Sequence, residues 1–105
     1  MRMYNPPHPG LVLKDALAGI PMNVTDFARH IGVARSTVNR VLSGKAAITL
    51  DMSMRLSEAF GQGQPDLWAR MQMDYDYWHV SRVKRKKIKP LTSLVPARAP
   101  EPHGE

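Results

Sequence analysis

From Pro9 onward the apolar residues of this chain recur at intervals of three and four, interrupted by glycine or proline, and that rhythm predicts helices. In the first, Leu13, Ala16, Leu17 and Ile20 share one side with Lys14 and Asp15 opposite; Pro9 suits the first helical position, and Gly19 and Pro21 stop the segment. Asn23, with Asp26 three residues on, makes an approximate capping box for a second helix, whose Phe27, Ala28 and Ile31 point inward before Gly32 ends it. A third runs from about Arg35 to Ser43, with Val38, Val41 and Leu42 on one face and Gly44 as its stop. Thr49 caps a fourth, with Leu50, Met52, Leu56, Ala59 and Phe60 as its apolar residues and Asp51 near its positive N-terminus, until Gly61 and Gly63 break it. The fifth starts with Pro65 in its first turn and carries Leu67, Trp68, Met71, Tyr75 and Trp78. No strand pattern competes, so the expected fold is all-α, four short helices and a longer fifth.

A chain of 105 residues suits one domain. The composition changes near Val83 to a Lys/Arg run followed by proline-containing sequence, which divides the chain into a folded unit over 1–82 and a basic tail over 83–105, largely disordered alone. No apolar run is long enough to span a membrane, and the opening "MRMYNPPHPG" does not resemble a signal peptide. The absence of Cys excludes disulfides and Cys-based zinc sites and fits a reducing cytoplasm.

Charge narrows the partners further. A formal net charge of +6 favours an anion: nucleic acid, an acidic protein surface or lipid headgroups. Between His8 and Phe60, however, there are six basic residues against four acidic, whereas Val80 to Pro90 holds six basic residues and no acid. Most of the excess sits in the tail, where it can act as an electrostatic arm on DNA phosphates.

The second and third helices carry the most specific chemistry. Ala28, Gly32 and Val38 stand four and then six residues apart: Ala28 allows close crossing, Gly32 a left-handed turn, and Val38 packs behind the following helix. This is helix-turn-helix spacing. With Val38, Val41 and Leu42 inward, the residues Arg35, Ser36, Thr37, Asn39, Arg40 and Ser43 face out. Arg can take both acceptors of guanine, Asn both groups of adenine, and Ser or Thr can bond base or phosphate. A solvent-facing helix is polar in any case, but an arbitrary one mixes signs, and this face has no Asp or Glu.

The segments "HPGLVLKDAL", "TDFARHIGVARSTVNRVLSGKAAITLDMSMRLSEAFG" and "PDLWARMQMDYDYW" together resemble the HigA/VapI-type antitoxins, a branch of the Xre-like, phage-repressor-like helix-turn-helix proteins, over about residues 8 to 79. The resemblance implies a small dimeric antitoxin that binds a RelE-like, ribosome-dependent mRNA-cleaving toxin and represses its own operon. By position, Arg35, Ser36, Thr37 and Arg40 correspond to the family's operator-contacting face and Lys45 to a phosphate-facing loop. Where many relatives start the second helix with a phosphate-binding Gln, this chain has Val24, which leaves Asn23 or Thr25 to supply that contact. Ser43-Gly44 stands where Asn-Gly is frequent.

Other signals carry less. His8, His30, His79 and His103 show no metal-ligand spacing, no nucleophile elbow or phosphate loop is present, and Asp74 and Asp76 point in different directions on one helix, so neither a cofactor nor an enzyme is expected. Trp68, Met71, Tyr75 and Trp78 either complete the core or form a two-fold interface; four short helices cannot easily cover them all, so part of this face is expected at a homodimer contact. Two rival readings stay open: a stand-alone Xre-like regulator without a toxin, and a protein-interaction module that no longer reads DNA.

Overall fold

A computed structural model describes residues 5–92; residues 1–4 and the predicted tail from 93 onward lie outside the described residues. Five helices follow one another: α1 Pro9–Ala18, α2 Val24–Ile31, α3 Arg35–Leu42, α4 Leu50–Ala59 and α5 Leu67–Val80, with no strand among the described residues. α2 packs on α3 and α4, α1 on α3 and α5, and α4 on α5. One core results, built from Leu13 and Leu17 of α1, Phe27, Ala28 and Ile31 of α2, Val38 and Val41 of α3, Ile48, Met52 and Leu56 around α4, and Trp68 of α5.

His8, Pro9 and Gly10 each have a distinct physical task. The His8 imidazole Nδ1 accepts the Gly10 amide at 2.8 Å and so caps α1, while Pro9, which has no N–H to satisfy, occupies the first turn. Gly10 lies so close to the Val41 carbonyl that a Cβ there would overlap it. α1 therefore enters directly against the C-terminal end of α3. The His8 ring meets the Tyr75 ring edge-on at 4.8 Å, which brings α5 to the same corner.

α4 departs from its expected stripe. Met52, Ser53, Leu56 and Ser57 face the core, while Leu50 and Ala59 are exposed. Ser53 sits inside because its hydroxyl donates to the Pro65 carbonyl at 2.7 Å and accepts the Ala69 amide at 3.0 Å, joining α4 to the start of α5 through a side chain small enough for close packing. Pro65 is thus an anchor before the helix, and α5 begins two residues later than expected.

Trp68 also requires correction. Instead of lying at a dimer surface it is 2% exposed, tilted against Phe60 at 5.9 Å between ring centres, with its indole N–H donating to Gln62 Oε1 at 2.8 Å. Burial of so large a ring in a small domain, with its polar atom satisfied, makes it a core anchor. Met71 is half-buried against the same core.

The cap at His8 titrates. Nδ1 must stay unprotonated to accept the Gly10 amide, and a cation would oppose the positive end of α1. Burial lowers the His8 pKa from its ordinary value of 6.5; Asp76 opposes that shift and His79 adds to it. A base whose folded pKa is depressed leaves the unfolded chain binding more protons, so stability is present above the unfolded pKa and falls as pH drops below about 6.5. Urea unfolding between pH 8 and pH 5 should show this loss, and His8→Asn, which retains a capping acceptor without titrating, should show less of it. An identical pH dependence in both proteins would remove His8 as the cause.

Candidate nucleic-acid interface

The corner between α2 and α3 is built by Gly32, which adopts the left-handed conformation at φ 75°, ψ 32°. Its strain-free access to that region ends α2, and the Val33 amide returns to the Ala28 carbonyl at 3.0 Å, closing the turn. Val38 and Val41 are fully buried, which orients α3 and leaves Arg35, Ser36, Thr37, Asn39 and Arg40 exposed together on its other side. Five of the six expected face residues are therefore brought onto one surface, free of carboxylates; Ser43, the sixth, is exposed at the C-cap, where its hydroxyl donates to the Arg40 carbonyl at 3.1 Å. Ala34, at the N-cap, offers no side-chain acceptor, so the first amides of α3 are not satisfied by a cap and point the helix's positive end outward.

Arg40 differs from Arg35. Its carbonyl receives the Lys45 and Ala46 amides at 2.8 and 3.1 Å, and its guanidinium donates to the Lys45 carbonyl at 3.3 Å. It thus organises the loop that presents Lys45, which is exposed just after Gly44 at φ 78°. At the start of α2, Asn23 Oδ1 is occupied by the Asp26 amide at 2.8 Å, whereas Thr25 is half-exposed beside it.

Two supporting residues went unread in the sequence. Arg55 of α4 reaches across to donate to the Ile31 carbonyl at 2.8 Å, while its Nε holds Asp51 at 3.0 Å. It binds a backbone group that the end of α2 leaves without an intrahelical partner, in the turn itself. Gln72 of α5, 6% exposed, accepts the Ile48 amide at 2.9 Å and donates to Asp76 at 3.0 Å, which fixes the loop between α3 and α4. A polar residue at a buried helical position is the available signal for Gln72; an arginine on a helix surface gives none for Arg55.

A helix-turn-helix model matches residues 17–68. Virulence-associated protein A' of Dichelobacter nodosus is 37% identical over 90 residues, 86% of this chain and 78% of that protein. The chain belongs to the Xre-like helix-turn-helix family, in its HigA/VapI-type branch. An uncharacterized HTH-type transcriptional regulator of Escherichia coli K12, YddM, is 38% identical over 72 residues, covering 69% of this chain and 76% of its own. Among solved structures, the antitoxin HigA of Pseudomonas aeruginosa with the higBA promoter superposes with a TM-score of 0.67 at 29% identity, over 71% of this chain and 82% of that one. This is a family of DNA-binding regulators and antitoxins, not of enzymes. No helix among the described residues is long and apolar enough to cross a membrane.

The Arg55 clamp gives a direct expectation. Arg55→Ala should cost about 1.5–3 kcal/mol in urea unfolding, the range for a hydrogen bond that involves a charged group. Amide exchange at Gly32 and Val33 should accelerate at the same time, with Arg55→Lys intermediate. Unchanged exchange at this turn would show that Arg55 does not hold it.

Proposed function

We propose that the protein is an antitoxin and autorepressor that binds operator DNA as a homodimer and neutralises a RelE-like mRNA-cleaving toxin. The observation that carries the DNA half is the acid-free, outward face of α3, with an N-terminus that no side chain caps. Arg35, Ser36 and Thr37 lie in the first turn, where a helix entering the major groove meets base edges. Arg35, Thr37 and Asn39 serve as base readers, with Ser36 on base or phosphate. Arg40 shapes the loop and contributes at its edge. Lys45 and Thr25 meet phosphates. That the P. aeruginosa antitoxin HigA is found with its own promoter supports the DNA reading.

Dimerisation belongs to α5, on a face shifted from that expected. With Trp68 buried and Met71 half-buried, the exposed apolar stripe is Met73, Tyr77 and Val80, which are 59%, 51% and 64% exposed at spacings of four and three. Tyr75 and Trp78 are half-buried and flank it. A two-fold axis there pairs the stripe with its own copy and sets two α3 helices on half-sites roughly 34–36 Å apart. A stand-alone regulator is the second reading, favoured by the relative called an HTH-type transcriptional regulator.

Binding to the DNA upstream of its own gene, measured against a scrambled duplex, tests the DNA half. Arg35→Ala should cost on the order of 1–3 kcal/mol on the operator and relax preference at one base position, whereas Lys45→Ala should weaken both duplexes alike and reduce the salt slope by about 1. The saturated complex should contain two chains per operator. Equal binding to both duplexes by the wild type overturns the DNA reading, and one chain per operator overturns the dimer.

The toxin half rests on a partner. Coexpression with each directly adjacent gene should yield a stable complex and relieve growth arrest caused by that gene's product. Absence of such a complex, with operator binding intact, favours the stand-alone regulator.

A further inference from the structure

The helical domain has no net charge of its own. From His8 to His79 there are seven Lys and Arg and seven Asp and Glu, although the whole chain carries +6. Nearly all of the excess lies in Arg82, Lys84, Arg85, Lys86, Lys87 and Lys89, with no acid among residues 80–90. Neutral domains gain little from the polyelectrolyte field of DNA, whose sequence-independent affinity grows with the number of phosphates neutralised. The face on α3 can select a sequence; it supplies little of the attraction.

The root of this basic segment is held toward the loop that presents Lys45. Arg82 lies over the Trp78 ring at 3.7 Å and donates to the Trp78 carbonyl at 3.3 Å. Trp78 meets His79 edge-on at 5.1 Å, His79 overlies Tyr75 at 4.1 Å, and Tyr75 meets His8 at 4.8 Å. His8 in turn borders Gly44, whose Cβ position is 4.0 Å from the imidazole. This run of side chains joins the end of α5 to the residue before Lys45. Beyond it, residues 84–90 have no regular secondary structure and are all exposed. Eight extended residues reach roughly 25 Å.

We propose that residues 82–89 form a DNA-backbone arm that grips phosphates beside the operator and supplies most of the protein's salt-dependent affinity. The proposal rests on the DNA half of the function above. Side-chain arrangement favours phosphate over a protein groove. In an extended course, neighbouring side chains point to opposite sides, so Lys84 and Lys86 occupy one side and Arg85, Lys87 and Lys89 the other. Both sides are basic, and each carries a single apolar residue, Ile88 on one and Val83 on the other, too little to make an apolar face for a protein partner to cover. The groove of about 620 Å³ between this segment and Tyr77 and Val80 is the place where a rival acidic protein segment would sit.

The test keeps the chain length and removes the charge, comparing the full-length protein with its K84Q/R85Q/K86Q/K87Q/K89Q variant on operator and scrambled duplexes from 50 to 200 mM salt. Loss of three to five phosphate contacts, at about −0.9 per contact, reduces the affinity ratio of wild type to variant by about 40- to 500-fold across that range. Preference for operator over scrambled DNA should be unchanged. Adding ten base pairs to each end of the operator should strengthen wild-type binding and leave the variant unaffected. Equal salt slopes overturn the arm, as does a loss confined to the operator, and so does a variant that binds DNA normally but loses an adjacent-gene product. Wild-type protein without operator preference refutes the underlying DNA reading, whereas an intact preference with equal slopes refutes the arm alone.

Discussion

What α3 presents to solvent depends on the left-handed turn at Gly32. One residue with φ 75° reverses the chain between α2 and α3, and the side chains that follow are oriented by where that reversal leaves the helix axis. An L-residue with a Cβ would be strained there, and its Cβ would also meet Arg55 Nη1 at 2.8 Å. The same guanidinium donates to the Ile31 carbonyl, so the turn is held from within by its hydrogen bonds and from α4 by a cation on a backbone oxygen. Burial of Val38 and Val41 then finishes the placement, since rotating α3 would expose them.

The joints between helices are polar although the core is apolar. Ser53, Gln72, Gln62 and His8 each use a side-chain oxygen or nitrogen to satisfy a group at the junction of two elements or at a helix start. A buried polar group costs stability unless it is paired, and once paired its bond works at one register only. Apolar contacts alone would tolerate sliding of short helices over one another. These bonds select one arrangement, and Gln72 transmits it from α5 to the loop that leads into α4.

The residues that were legible from sequence are those whose chemistry acts locally. Asn23, Thr49 and Gly32 cap or turn the chain within a few residues, and Pro9 with Gly19 bounded α1 for the same reason. The α3 face was legible because its inward partners Val38 and Val41 fall at helical spacing. Distant pairings were not. Trp68 and Trp78 have the same type and nearby positions on one helix, yet the first fills the core while the second is half-buried beneath Arg82, a distinction set by where Phe60 and Gln62 arrive. Periodicity cannot separate a core from an interface when both are apolar. Nor could it place Ser53 or Ser57 inside, since their burial follows from how closely α5 begins beside α4.

Charge balance in the helical domain also has an orienting consequence. Because α3 shows Arg35 and Arg40 without carboxylates, neutrality requires acids elsewhere, and Asp66 at the N-cap of α5, with Asp74 and Asp76 within it, outnumber Arg70. α5 packs on α1 and α4, and its Asp76 accepts from the Gln72 that fixes the loop between α3 and α4. A neutral body feels little net pull toward a polyanion, so what orients it is where its cations cluster, on the acid-free face of α3 and in the basic segment that follows α5.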